Sequence, residues 1–407
     1  MKYYVFFANT IKRVGGAQLY IKSKAHFLTQ NGWVVSVVYH QDGDLIITEL
    51  KNYCSHRCPY LYKPSYMYMD FKRNKVVKEI IQHIGINEGK IVFESHSRTL
   101  ASWAEIVAES IGKVTHICFD LDECITIPKP MFEFYKFKYN RHELYGILPV
   151  SIDLFFKGTG FKLNYGSPYL QANGGADCIA DCNTDIKIIE FSGYTIGVVG
   201  RLEKAYVWEY AKMARLFIEK HSDQQFTLVF VGGAPPKENP EEQILQLFKN
   251  NNNVKLIFTG YLYPIPRVII NSFKICLSGA GAAWAICREG VATITIDPRD
   301  FLANGILGLT TKNSVFSENE KKPVLWWMEE IYNHPDKYTL PRVRYDYDFF
   351  THINAIKSCS NIFVYNTSFI SYRLPFIEHI KRFINSTLPI TQRESLAAYI
   401  RKLKFKL

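Results

Sequence analysis

Residues 195–204 read TIGVVGRLEK, and they open a series that decides the fold: TLVFVGGAP at 227–235, VKLIFTGY at 254–261, ICLSGAGAAW at 275–284 and ATITID at 292–297. Four of these apolar runs end near Val199, Val231, Phe258 and Leu277, each with glycine close behind, and the fifth ends at Asp297. Runs this short, rich in β-branched residues and closed by glycine, predict buried strands. Helical patterns at 208–221, 241–250 and 282–289 separate them, so strands and helices alternate as in a parallel sheet. The loops at the carboxyl ends of such strands form a ligand crevice.

The alternation extends toward the amino terminus. A strand at 3–8 leads through a loop at 9–16 into a helical pattern at 17–31, Gly32 ends it, and WVVSVVY at 33–39 is the next strand. Strands at 91–93 and 114–119 flank a helical stretch at 99–111 and bring Glu94, His96 and Asp120 to loop edges, where charge can face a crevice without full burial. LPVSIDLFF at 148–156 reads as extended or turning, and 158–190 lacks a helical period and reads as a connection. Further helical patterns lie at 326–332, 349–357, 375–385 and 392–403. The expected organisation is an amino-terminal domain over 1–190, a second over 191–380 and a helical segment over 381–407 that packs back on the first domain or locally on the surface.

With 407 residues the chain is long enough for two cores. Hydrophobic residues at 47% and charged residues at 21% exclude general disorder. An excess of Lys and Arg over Asp and Glu, 49 against 38, favours phosphate-rich partners. Nine cysteines, without a compact pair of CxxC units, read as buried thiols rather than a metal or disulfide framework. MKYYVFFANT at 1–10 reads as a strand rather than a secretory leader, and no uninterrupted run of apolar residues suits a membrane span. A cytoplasmic protein follows from this reading, resting on the inner face of the plasma membrane if it binds lipid. The segment 67–85, MYMDFKRNKVVKEIIQHIG, is either an amphipathic helix packed on the first domain or a helix lying on an anionic membrane. Nucleic acid is not an expected partner, because no compact recognition module is present.

Two glycine turns carry the sharpest chemistry. Gly200 allows close backbone approach, Arg201 offers a planar fork of donors, and Lys204 adds a second cation, a set suited to diphosphate. Ser278, Gly279, Ala280 and Gly281 precede a helix whose first amides would point at negative charge, with the Ser278 hydroxyl as a further contact. Asp297 and Arg299 stand on another strand-end loop, as candidate contacts to a sugar hydroxyl and a phosphate.

VGGAQ at 14–18, LPVSIDLFF, VVGRLEK, LVFVGG, FTGY and SGAGAAW, in that order, resemble glycosyltransferase family 4 and related enzymes of the GT-B fold. The resemblance implies an α/β protein of two Rossmann-like domains with a deep cleft between them, the first binding acceptor and the second a nucleotide-diphosphate sugar such as a UDP-sugar or GDP-sugar. It implies transfer with retention to a glycan or lipid-linked acceptor in surface polysaccharide or glycoconjugate assembly, with the nucleotide sugar as substrate and no metal or separate cofactor. Arg201 matches the family's diphosphate-binding arginine, while the following lysine falls at Tyr206, leaving Lys204 as its replacement. Gly15 and Gly16 match the loop that approaches the donor, Phe258 and Tyr261 the stretch beside the base, and His96 or Asp120 would line the acceptor side. The paired glutamates of the family are missing: their positions hold Leu277 and Ala285. Glu289, four residues beyond Ala285, is the nearest carboxylate in sequence and is kept as a donor contact. That departure leaves a non-catalytic donor-binding or protein-binding subunit, or a nucleotide-sugar epimerase, as alternatives.

Overall fold

β1 (Lys2–Ala8) is buried from Tyr3 to Ala8, so helices must cover both of its faces. It lies in a sheet with β2 (Val34–Tyr39), β3 (Cys54–Arg57), β4 (Lys90–Ser95), β5 (Val114–Phe119) and β6 (Leu144–Tyr145), in the order β3-β2-β1-β4-β5-β6 and parallel throughout. The crossover helices are α1 (Gly16–Gln30), α2 (Asp70–Ile84), α3 (Arg98–Ile111) and α4 (Phe132–Asn140). Ser97 caps α3 by accepting the Leu100 amide, and the helix is buried from Leu100 to Ala108. LPVSIDLFF departs from the extended expectation: Ser151–Phe156 forms α5, with Ile152, Phe155 and Phe156 turned into the core at helical spacing.

This computed structural model describes residues 1–86, 88–121, 127–172, 178–181, 191–234, 239–343, 349–389 and 391–393. The chain divides into two compact units, one of Met1–Arg13, Ile21–Ala172 and Asp348–Leu407, the other of Val14–Tyr20 and Asn173–Tyr347. The helices over Phe350–Ser358 (α11) and Phe376–Thr387 (α12) therefore belong to the first unit, although they follow the second unit in the sequence. The predicted helix at 392–403 lies almost wholly outside the described residues.

Besides Val14–Tyr20 at the start of α1, the second unit contains the two-residue strand β7 (Ile179–Ala180), which pairs with β11 (Ile265–Pro266). Its main sheet contains β8 (Tyr194–Val199), β9 (Phe226–Val231), β10 (Val254–Phe258), β12 (Ile275–Ser278), β13 (Thr293–Ile296) and β14 (Ala303–Ile306). The order is β10-β9-β8-β12-β13-β14, parallel except for the antiparallel edge strand β14. Helices α6 (Ala205–Lys220), α7 (Pro240–Leu247), α8 (Arg267–Asn271), α9 (Ala280–Arg288) and α10 (Val324–Asn333) complete it. Both sheets have the doubly wound order, in which the chain leaves two neighbouring strands in opposite directions. That reversal falls between β1 and β4 in one unit and between β8 and β12 in the other.

α2 decides one expectation made from sequence. Val76, Val77, Ile80 and Ile84 are buried against the first unit, whereas Lys75 and Lys78 are exposed. The apolar stripe of this helix is core, and it is not a membrane face. Among the described residues, no helix is long and apolar enough to cross a membrane.

Candidate functional site

The second sheet brings the two glycine turns together because β8 and β12 are neighbours, paired from Ile196–Ile275 to Val199–Ser278. Their carboxyl ends are tied by the buried Ser278 hydroxyl, which donates to the Val199 carbonyl at 2.8 Å. Ser278 is thus a strand clamp whose hydroxyl is spent inside the protein, and its expected ligand contact is corrected accordingly. Gly232 lets the end of β9 close on the same turn: a methyl there would stand 2.1 Å from the Gly200 carbonyl oxygen. Gly200 donates to Val231 and Leu202 donates to Gly233, so the GRL turn is held along β9.

Arg201 and Lys204 are exposed at this edge. Arg201 lies 3.3 Å from Glu203, a carboxylate whose second oxygen is buried and has no hydrogen-bond partner among the described residues. Lys204 ends the turn as the residue preceding α6. The Tyr206 ring reaches both turns, with its hydroxyl 3.3 Å from where a Gly200 Cβ would lie and its ring 3.9 Å from the corresponding Gly279 position. Tyr261 packs on Gly233, where a Cβ would meet its ring at 2.6 Å. Gly200, Arg201, Lys204, Tyr261 and Gly279 therefore share one edge of one sheet. Sequence reading did not assign Glu203 or Tyr206 to the site; Tyr206 stood out only as the residue at the position of the resembled family's lysine, and Glu203 only by its place inside the GRLEKAY stretch.

α9 starts at this edge too. Gly279 is extended, Ala280 has a φ of 53°, and the Ala280 amide donates to the Ser314 carbonyl at 3.0 Å. One expected anion donor is consumed by that bond, and Gly281 and Ala282 carry the next amides of the helix start. The positive end of the helix adds to Arg201 and Lys204.

Glu289 does not join them. It follows the nine residues of α9, roughly 13 Å along the helix axis from its start. There its carboxylate pairs with Arg267 and with Arg342 Nε at 3.0 Å. It lines a cavity of about 320 Å³ with Tyr194, Lys274 and Ala292, residues at the amino ends of β8, β12 and β13. The helix length has carried Glu289 to the opposite edge of the sheet, so its donor-contact assignment is corrected. Leu277 and Ala285 are both buried among apolar residues. Asp297 is also committed elsewhere: its carboxylate meets Arg299 at 2.6 Å, Lys321 at 2.8 Å and the Ser317 amide at 3.2 Å. Burial alone would raise this carboxyl, but the Arg299 and Lys321 bonds outweigh it and hold it well below the usual carboxylate range.

In the first unit, His96 and Asp120 follow the neighbouring strands β4 and β5, and both are buried at 3% exposure. His96 Nε2 bonds Glu94 at 2.9 Å, and Glu94 also accepts from Lys24 and from the Tyr4 hydroxyl at 2.5 Å. Burial would raise Glu94, yet Lys24 and His96 hold it well below the usual range. Lys24 continues to His352 Nδ1 at 3.1 Å, whose Nε2 faces the Gln171 carbonyl at 3.0 Å. This geometry suits a neutral imidazole with its proton on Nε2; burial, then Lys24, push His352 down to about 3. His96 therefore belongs to a buried charge network. A polar cavity of about 250 Å³ opens at the same sheet edge, lined by Asn9, His40, Gln41, Tyr62, Ser97, Arg98 and Thr99. Gly15 and Gly16, which belong to the second unit, enter the first turn of α1, with Gly16 exposed and the Gly15 carbonyl accepting from Leu19.

His56, Cys58 and Glu79 place one ligand atom each within 4.8 Å of one another. The His56–Glu79 contact at 3.3 Å and the apolar burial of Cys58 account for that proximity. Of the described cysteines only Cys54 is exposed, and none is in a disulfide; Cys124 and Cys182 lie outside the described residues.

No protein-family model matches the chain, and no curated protein matches its sequence. Among solved structures it is similar to a glycosyltransferase from Rickettsia africae ESF-5, at 12% identity and a TM-score of 0.57, over 95% of this chain and 99% of that one. Lower scores relate it to a UDP-GlcNAc 2-epimerase from Neisseria meningitidis bound to UDP-GlcNAc, at 11% identity, TM-score 0.46, and 88% and 98% coverage. The catalytic domain of starch synthase IV from Arabidopsis thaliana, bound to ADP and acarbose, matches at 11%, 0.46, and 95% and 100%. At these identities the likeness is one of fold, and the fold is GT-B-like, an alternating α/β architecture built on parallel sheets.

Proposed function

We propose that the protein is a glycosyltransferase that binds a nucleotide-diphosphate sugar in its second unit and passes the sugar, with retention, to a glycan or lipid-linked acceptor. The observation that carries this reading is the convergence of Arg201, Lys204 and the start of α9 at the strand-order reversal of the second sheet. Two cations and a helix amino end on one sheet edge suit a diphosphate. As the bond from the anomeric carbon to diphosphate lengthens, charge grows on the leaving oxygens, and these donors stabilise it. Tyr206 occupies the position of the family's lysine, so Lys204 supplies the second charge. Tyr261, packed on Gly233, is the candidate neighbour of the base. The polar cavity of the first unit, with Arg98 and His40, is the candidate acceptor subsite. An anionic membrane is the setting for a lipid-linked acceptor, at the inner face of the plasma membrane.

One observation favours a second reading. Leu277 and Ala285 are buried and apolar, so neither position supplies the carboxylate contact of the resembled family. A donor-binding subunit without turnover is compatible with that loss. An assay of the purified chain with UDP- and GDP-sugars and lipid-linked acceptors separates the readings. Sugar transfer with the anomeric configuration retained supports the proposal, donor conversion without acceptor identifies an epimerase, and binding without either reaction identifies the subunit.

A further inference from the structure

α12 is oriented with its polar side inward. Its sequence, FIEHIKRFINST, separates an apolar stripe at Phe376, Ile377, Ile380 and Phe383 from a polar stripe at Arg382, Asn385 and Ser386. A helix on a water-soluble surface ordinarily buries the first and exposes the second. Here Asn385 and Ser386 are buried, while Phe376 is 81%, Ile377 61%, Ile380 45% and Phe383 57% exposed.

The orientation is fixed by named bonds within the first unit. Arg382 donates to the Tyr68 carbonyl at 2.7 Å and to Asp70 at 3.1 Å. Asn385 donates to the Met67 carbonyl at 3.2 Å and accepts from Lys63 at 2.8 Å, while Ser386 accepts the Met69 amide at 2.7 Å. Rotating the helix to bury its phenylalanines would break all five. The bonds to residues 67–70 also set α12 beside the start of α2, where Phe71 is 59% exposed.

From this arrangement we infer that α12 is a docking ridge for an anionic lipid bilayer, with Phe376, Ile377, Ile380 and Phe383 entering the headgroup boundary. Interfacial helices combine an apolar face with flanking cations. Arg373 is exposed before α12, Lys381 is exposed on it and paired with Glu378 of the same helix, and Lys75 and Lys78 are exposed on α2. A second copy on this ridge would set these cations against their own kind, whereas acidic lipid neutralises them. The apolar stripe assigned from sequence to α2 is core; α12 supplies the exposed one.

Flotation of the full chain with phosphatidylcholine vesicles, with and without phosphatidylglycerol, tests the inference without any sugar donor, so it stands or falls apart from the proposed function. The wild-type chain is expected to float with the anionic vesicles. Combined Phe376→Ser, Ile380→Ser and Phe383→Ser substitutions should reduce the bound fraction at least about tenfold and leave the melting curve unchanged, because the altered side chains are exposed. Lys381→Gln with Lys75→Gln should weaken binding to anionic vesicles and reduce its salt dependence. Failure of the wild type to float, or undiminished flotation of the triple variant, overturns the inference. So does a concentration-dependent dimer that the triple variant abolishes, or flotation gained only on deletion of 394–407, since either result names a different occupant of the ridge.

Discussion

Asp297 shows why a carboxylate at a strand end is not yet a ligand contact. Its side chain is fully buried, and Arg299, Lys321 and the Ser317 amide all bind it. Asp297→Asn should destabilise the second unit by about 3 kcal/mol, because a buried pair has lost one partner; denaturant unfolding measures this. His352 is the opposite charge case. Burial and the facing Lys24 lower its folded value to about 3 from the ordinary 6.5, so the unfolded chain takes up this proton first. Its contribution is therefore complete above pH 6.5 and is lost as pH falls from there toward 3. His352→Gln, which retains an acceptor for Lys24 and a donor for the Gln171 carbonyl, should flatten the dependence of melting temperature on pH across that window. Glu105 acts lower: burial would raise it, but Lys138 and His116 outweigh burial and bring it to about 2. The stability it confers is lost as pH falls from 4.5 toward 2.

At the scale of elements, strand ends were the most legible feature. The runs at 195–199, 227–231 and 254–258 end where β8, β9 and β10 end, and β12 extends one residue past Leu277. Apolar runs closed by glycine leave little choice there, since strand, turn and close approach are all written locally. Gly232 illustrates the close approach, and Gly232→Ala should cost about 1–3 kcal/mol by forcing a methyl against the Gly200 carbonyl; it should also weaken any ligand held by the GRL turn. Thermal melting and ligand titration of the same variant check both effects. Less was legible where one pattern serves two packings. The stripes of α2 and α12 are alike in sequence, yet α2 buries its valines and isoleucines and α12 exposes its phenylalanines. Periodicity identifies the stripe, whereas the hydrogen-bonding partners at Met67, Tyr68 and Met69 decide which way it faces. Glu289 failed for a related reason: nearness in sequence to Ala285 ignores the direction in which the helix carries each residue.

For the whole molecule, two sheets of identical strand order recover the α/β class read from the alternating pattern. The candidate donor edge was legible as two separate motifs, and the adjacency of β8 and β12 joins them. What sequence did not contain was the fate of each polar group once its neighbours were in place. Ser278, His96 and Asp297 became parts of internal networks, while Glu203 and Tyr206 stood forward at the site. The proposed donor site turns on a diphosphate held by Arg201 beside the start of α9. Calorimetric titration of the full chain with UDP- and GDP-sugars, comparing wild type with Arg201→Ala and Glu289→Gln, tests it most directly. At least one nucleotide sugar should bind the wild type, Arg201→Ala should lose about 2 kcal/mol, or roughly thirtyfold in affinity, and Glu289→Gln should bind like wild type. No binding of either nucleotide class, or an Arg201→Ala affinity equal to wild type, would contradict it.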